Sequence, residues 1–362
     1  MIKRPIKKEL DEKTSNNMKT RTITGIVLAV LAIPALFLGG WFFIVLVALT
    51  LGLATHEFIN APQKTKISIP MQIFIYVMIY SFVFWIFIKN NIMNNDANEF
   101  AAFDITEWKF NVGFNDVLIS TMGVVVLLFV LFFTAIITPK MKMADVYYLF
   151  TMTLFVGIGF QSFLFLRYFP FSNFLSFKEV FGVASLHENG NYIHSSLLIL
   201  YIVIGTFATD IGAYFIGVFF GKNKMNERIS PNKTWEGFGG GIGVSILFSF
   251  TFAISLAATG YPILPWLTVK NWYWILFLSA LMPLMANLGD FTFSAIKREL
   301  ELKDYGTILK GMGGVLDRVD SLITVAFGIS IIIILISNTM LTGNPFLNHT
   351  PSDTLLLIGL LV

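Results

Sequence analysis

The chain has 362 residues, 56% apolar and 13% charged, with a mean hydropathy of +0.74 and a formal net charge of +3. A soluble domain carries about 25% charged residues and about 45–50% apolar ones, so these values exclude a soluble globular enzyme and a disordered chain. The absence of cysteine excludes a disulfide framework, thiolate metal sites and a cysteine nucleophile.

A transmembrane helix needs about 20 largely apolar residues. Nine stretches read as spans: 22–38, 41–54, 67–88, 117–137, 146–166, 195–220, 237–257, 272–288 and 319–337. The sequence therefore predicts an all-α polytopic integral membrane protein. A basic N-terminal segment (1–21) precedes N-terminal helices (22–194), a C-terminal helical region carrying the charged loops (195–340) and a tail (341–362). Gly39-Gly40 divides the first two spans and reads as a tight hairpin. The second span is short and runs on past His56 and Glu57. The first apolar run follows a long basic lead and is not followed by a small-residue cleavage motif, so it reads as a retained helix rather than a signal peptide. The final run, 355–362, is apolar but too short to cross a bilayer.

Lysine and arginine gather in cytoplasmic loops. With the N-terminus inside, the inner segments 1–21, 55–66, 138–145, 221–236 and 289–318 hold all but five of the 25 basic residues. The outer ones are Lys89, Lys109, Arg167, Lys178 and Lys270, so the bias predicts N-in and C-out. The outer loops 90–116 and 168–194 read as connectors, with Phe169, Phe171, Phe174 and Phe177 resting at the interface.

The first charged loop, 221–237, offers Lys222, Lys224, Arg228 and Lys233 beside the hydroxyls of Ser230 and Thr234. Contact with anionic lipid accounts for the basic residues alone. It does not account for Thr234 and Glu236 at the start of the next helix, where a threonine caps free N–H groups and a phosphate is favoured. Lys222, Ser230, Lys233, Thr234 and Glu236 are therefore candidate substrate contacts. Residues 217–222 lack the phosphate-loop spacing, so that motif is rejected. Upstream, Asp210 lies inside a span. An intramembrane carboxylate is a functional candidate by default, and a structural hydrogen bond to neighbouring helices stays open beside that reading. The glycine-rich run 237–243 reads as a close helix-packing surface.

The second charged loop, 289–321, is the more informative. If the helix continues through it, Asp290, Ser294 and Lys297 fall at i, i+4 and i+7, on one face. A glycine-rich turn follows, and Asp317, Asp320 and Ser321 then share a face at the start of the last helix. Two carboxylate sets thus flank a turn amid Lys297, Arg298, Lys303, Lys310 and Arg318. Mg²⁺ is commonly held by one or two carboxylates plus substrate phosphates, and basic residues neutralise the remaining phosphate charge. The bland alternative is a salt-bridged amphipathic loop.

This loop resembles the signature of the phosphatidate cytidylyltransferase family, also called CDP-diacylglycerol synthases. That signature runs S-x-x-K-R-x4-K-D-x-G-x2-[LIF]-P-x-H-G-G-x-x-D-R-x-D. Ser294, Lys297, Arg298, Lys303, Asp304, Gly306, Leu309, Gly313, Gly314, Asp317, Arg318 and Asp320 match it. The runs Asp210-Ile-Gly-Ala-Tyr-Phe and Ser230-Pro-Asn-Lys-Thr-Trp-Glu-Gly237 are similar to the family's other marked region, and 19–24 to its start.

The resemblance implies that phosphatidate and CTP give CDP-diacylglycerol and pyrophosphate at a bacterial plasma membrane. It implies metal ligation by Asp290 and Asp317 with Mg²⁺ as cofactor, and leaves a companion K⁺ open. Lys297, Arg318 and Asp320 join those two as catalytic residues. Asp210, Ser294, Arg298, Lys303, Asp304, Gly313 and Gly314 extend the substrate contacts. CTP, phosphatidate and membrane lipid are the expected partners, nucleic acid is not, and a homo-oligomer is left open.

Two positions depart from the pattern: Lys310 stands where the family has proline, and Met312 where it has histidine. A phosphate monoester has its second pKa near about 6, so the nucleophile is already largely anionic at neutral pH. Phosphorus transfer rests mostly on positioning and charge stabilisation, so methionine is expected to be tolerated. His56 reads as structural, and His187, His194 and His349 as bystanders. The rival readings are a secondary transporter using Asp210 and glycine-broken helices, a polyprenol-type kinase, and a family member that has lost activity.

Overall fold

The computed structural model describes residues 12–62, 67–89, 114–139, 141–172, 191–264, 266–309 and 311–341. In chain order the elements are α1 (Glu12–Leu38), α2 (Gly40–Asn60), α3 (Ile69–Ile88), α4 (Phe114–Ile137), α5 (Met143–Ser172), α6 (Asn191–Phe220), β1 (Lys224–Asn226), β2 (Ser230–Thr234), α7 (Trp235–Ala258), α8 (Trp272–Glu299) and α9 (Leu316–Leu341). Eight of the helices are long and apolar enough to cross a membrane, and α1 adds a shorter apolar run, Ile23–Leu38. The chain is an all-α polytopic membrane protein, as the apolar stretches require. Residues 90–113 and 173–190 of the two outer loops, with His187, lie outside the described residues, as do His349, the final apolar run and the side chain of His194.

The hairpin between α1 and α2 turns on Gly39 at φ 63° and Gly40 at φ 51°, the left-handed region that glycine enters without steric cost. A Cβ on Gly39 would overlap the Arg167 guanidinium. Arg167 was expected in an outer loop. It belongs instead to α5, which continues beyond the apolar stretch, and it is buried with its guanidinium 5.6 Å from the Tyr168 ring centroid.

The centre of the bundle is α5, whose Leu149, Met152, Val156 and Leu164 are fully buried against α2, α3, α4, α6 and α9. Helix α4 is peripheral and leaves Phe129, Phe133, Ile136 and Ile137 exposed, as befits a lipid-facing surface. Helices α6 and α7 approach closely because their contact is built of small residues. A Cβ on Gly241 would sit 2.8 Å from the Thr209 carbonyl oxygen, and one on Gly212 2.7 Å from Val244 Cβ. Across the same contact Ser245 Oγ donates to the Gly205 carbonyl at 2.8 Å. Gly237, Gly240 and Gly241 of the glycine run therefore pack against α6, while Gly239 and Gly243 face away from it.

The charged segment after α6 is a short antiparallel hairpin rather than a plain loop, pairing Lys224 with Thr234 and Asn226 with Ser230. The Asn226 carboxamide closes its turn, accepting from the N–H groups of Arg228 at 3.1 Å and Ile229 at 3.2 Å. An asparagine side chain that bonds its own following backbone mimics a backbone turn.

Candidate active site

Helix α8 runs unbroken from the membrane core into the charged segment, so Asp290, Ser294 and Lys297 share one helix. Ser294 Oγ donates to Asp290 Oδ1 at 3.1 Å, which places them on one face as their spacing requires. The helix stops by a two-bond C-terminal motif: Leu302 N–H bonds the Lys297 carbonyl at 2.8 Å and Glu301 N–H bonds that of Arg298 at 3.1 Å. Glu301 supplies the left-handed residue at φ 61°, a place usually taken by glycine.

The glycine turn follows. Met312 N–H bonds the Leu309 carbonyl at 2.8 Å with Gly311 at φ 77°, a turn whose third residue needs a positive φ. It closes without the family's proline; Lys310 itself lies outside the described residues. Gly313, at φ 90°, lies beside the carboxylates of Asp304 and Asp317. The Met312 side chain reaches α1, where a Cβ on Gly25 would be 3.3 Å from its Cε. The site reaches as far as the first helix through this residue.

Asp317, on the first turn of α9, binds the turn to α8. Its Oδ1 receives Lys297 Nζ at 2.8 Å, and its Oδ2 receives the N–H groups of Tyr305 at 2.9 Å and Gly314 at 3.0 Å. The pair is closed off from solvent, with side-chain exposures of 10% for Lys297 and 3% for Asp317. Tyr305 is buried behind it and donates from Oη to the Phe293 carbonyl at 3.3 Å. Burial, reinforced by Tyr148, Asp317 and Asp320, holds its hydroxyl far above the usual phenol range, so it stays protonated.

The hairpin brings in the second set. Lys233 Nζ lies 2.5 Å from Asp290 Oδ2 and 4.1 Å from the Phe291 ring centroid. Arg298 docks the hairpin: its Nε donates to the Ile229 carbonyl at 3.1 Å and its Nη1 to that of Leu302 at 2.9 Å. Thr234 caps α7, accepting from Gly237 N–H at 3.1 Å. The Glu236 carboxylate is taken up by its own loop, receiving the N–H groups of Lys222 and Asn223 and the Asn223 carboxamide at 2.8–3.3 Å.

Asp210 on α6 lies within electrostatic reach of Asp290, Lys233 and Arg318. Asp320 on α9 lies within reach of Asp290, Lys297 and Asp317, and its Oδ1 accepts from Ser321 N–H at 2.6 Å. Four carboxylates and three cations thus converge from α6, β2, α8 and α9. Arg318 is tied to the turn through Nε to the Met312 carbonyl at 2.9 Å. Lys222, Lys303 and Asp304 are exposed, and Ser230 sits in β2 opposite Asn226.

The sequence reading passed over one residue that the fold brings here. Glu57, near the end of α2, accepts from Val315 N–H at 2.9 Å and Leu316 N–H at 2.8 Å. It is 3% exposed, and its carboxylate fills the space that a side chain at Gly306 or Gly314 would need. The available signal was an acidic residue set in an apolar run just before its end. His56 beside it is exposed and hydrogen-bonds Asn60 on its own helix.

Among the described residues no three Asp, Glu or His side chains group closely enough to hold a metal ion by themselves. A metal ion held by Asp290 and Asp317 and completed by substrate phosphates would have to take the places that two lysine ammoniums now hold. Asp290 and Asp317 each face a lysine ammonium at one oxygen, so each already seats a cation there.

A model described as the cytidylyltransferase family matches residues 19–336. A phosphatidate cytidylyltransferase of Bacillus subtilis is 26% identical over 309 residues, covering 85% of this chain and 95% of the relative. One of Staphylococcus epidermidis is 28% identical over 318 residues, covering 88% and 99%. One of Haemophilus influenzae is 38% identical over 157 residues, covering 42% and 52%.

Proposed function

The chain belongs to the cytidylyltransferase family, and from that premise we propose that it transfers CMP from CTP to phosphatidate, giving CDP-diacylglycerol and pyrophosphate. It is a multi-pass nucleotidyltransferase of the cell membrane. The observation that carries the substrate reading is the convergence of Lys233, Lys297 and Arg318 with Asp290 and Asp317 where α8 leaves the apolar bundle. A lipid phosphate at a bilayer surface and a soluble triphosphate can meet only at such a level. The positive-inside distribution of lysine and arginine supports a cytoplasmic face for it, with the N-terminus inside.

In the reaction a non-bridging oxygen of the lipid phosphate attacks the α-phosphorus of CTP. A new P–O bond forms, the bond from the α-phosphorus to the α–β bridging oxygen breaks, and pyrophosphate leaves with that electron pair. The attacking phosphate is largely anionic above about pH 6, so no side chain must remove a proton, and Met312 in place of histidine is compatible with turnover. Two anions must nevertheless approach each other. Lys233, Lys297 and Arg318 offset that repulsion, and Arg298 keeps Lys233 in place by holding the hairpin against α8. Asp290 and Asp317 would hold Mg²⁺, with K⁺ as companion. When bound, Mg²⁺ neutralises triphosphate charge and polarises the phosphorus under attack.

Pyrophosphate release from purified protein tests the reading. It is expected to require CTP and phosphatidate together. Release of pyrophosphate without phosphatidate, or transfer of the γ-phosphate to lipid, would overturn it.

A further inference from the structure

The entry to α9 presents the N–H groups of Gly314, Val315 and Leu316, which have no partners within the helix. Such a helix end attracts phosphate. In this chain all three donors are already met by carboxylates: Gly314 by Asp317, and Val315 and Leu316 by the two oxygens of Glu57. Glu57 comes from α2, in the other half of the sequence, and is held there by packing. The neighbouring Phe58 carbonyl accepts from Tyr148 Oη at 2.9 Å, and Gly306 and Gly314 close over the carboxylate.

We propose that Glu57 is a positioning residue of the site. Its carboxylate stands in for an anion at the start of α9, sets the glycine turn, and denies that helix end to substrate phosphate. Three consequences follow from the geometry. The helix that carries Asp317, Arg318 and Asp320 has its first turn fixed in place from α2. The glycines at 306 and 314 are explained, because any Cβ there would displace the carboxylate. The phosphates of CTP and lipid are left to Lys233, Lys297 and Arg318, since the N–H groups of Gly314, Val315 and Leu316 are already engaged. A negative charge at a helix N-terminus is also favoured by the helix dipole. This inference rests on the transferase reading for its kinetic arm only.

The test uses full-length protein in detergent–lipid micelles, with Glu57→Gln and Glu57→Ala. Glutamine keeps the volume but turns an amide N–H₂ toward one of the two N–H donors. It is expected to lower kcat by about 10- to 100-fold, the scale of a small misplacement of reacting groups, and to leave KM for CTP little changed. For Glu57→Ala, sodium formate is expected to raise both kcat and the thermal unfolding midpoint, while sodium chloride does neither and wild type responds to neither salt. The midpoint arm needs no turnover, so it stands even if the transferase reading fails. Wild-type kcat in Glu57→Gln would overturn the proposal. So would a Glu57→Ala midpoint that formate does not move.

Discussion

Lys233 on β2 meets Asp290 on α8 at 2.5 Å, and this contact joins the two charged segments into one site. Neither segment explains the other in isolation. The hairpin supplies cations and the end of α8 supplies a carboxylate. Arg298, through the Ile229 carbonyl, holds the two at working distance. Asp290→Asn is expected to abolish CDP-diacylglycerol formation while the protein elutes from size exclusion as wild type does. Near-normal turnover in this variant would remove Asp290 from the site.

Lys233→Ala separates the roles of this pair. The partners are 25% and 32% exposed, so their pairing contributes at most about 1 kcal/mol to stability. The variant is expected to melt close to wild type and to show a raised KM for CTP. Unchanged kinetics would reduce Lys233 to a loop anchor.

The Lys297–Asp317 pair behaves differently because it is buried. Removing one member leaves an uncompensated charge, which costs about 3–5 kcal/mol. Lys297→Met and Asp317→Asn should each lower the unfolding midpoint and abolish synthesis. Combining Lys297→Met with Asp317→Asn should restore much of the midpoint and none of the activity. A melting temperature that falls additively in the double variant would show that the two groups do not depend on each other.

The α6–α7 contact gives a controlled comparison. A Cβ at Gly241 would press on the Thr209 carbonyl oxygen and Ala213 Cβ, whereas nothing lies within 4 Å of one at Gly243. Gly241→Ala is expected to destabilise by about 1–3 kcal/mol, the usual cost of overpacking. It should also lower activity by shifting Asp210. Gly243→Ala should be neutral or stabilising by up to about 1 kcal/mol. Equal effects from both, read by thermal unfolding, would contradict the packing.

Met312→His tests the departure from the family pattern. Wild-type protein is expected to be active, with the histidine variant within about tenfold of it, since charge stabilisation rather than proton removal governs the step. An inactive wild type rescued by histidine would show that the side chain is required.

Much of this was legible in the sequence. Apolar runs of span length located the helices. The i, i+4, i+7 spacing placed Asp290, Ser294 and Lys297 on one helix, and the Ser294–Asp290 bond follows from it. The hairpin was not legible. Its strands are short, polar and carry Pro231, so their pairing depends on docking to α8 through Arg298, a contact between distant segments. Glu57 was hidden for the same reason: its partners, Val315 and Leu316, lie at the other end of the chain and offer only backbone N–H groups, which leave no residue-type signal. Arg167 was misplaced because a basic residue just past an apolar stretch reads as a loop, although α5 continues through it.

The most direct measurement supplies purified protein with phosphatidate, Mg²⁺ and CTP labelled at either the α- or the γ-phosphorus, and follows label into the lipid fraction with and without EDTA. The account predicts lipid labelled from α-labelled CTP alone, lost on chelation and absent in Asp290→Asn. Label arriving from the γ-position, or lipid labelling that survives both chelation and the loss of Asp290, would contradict it.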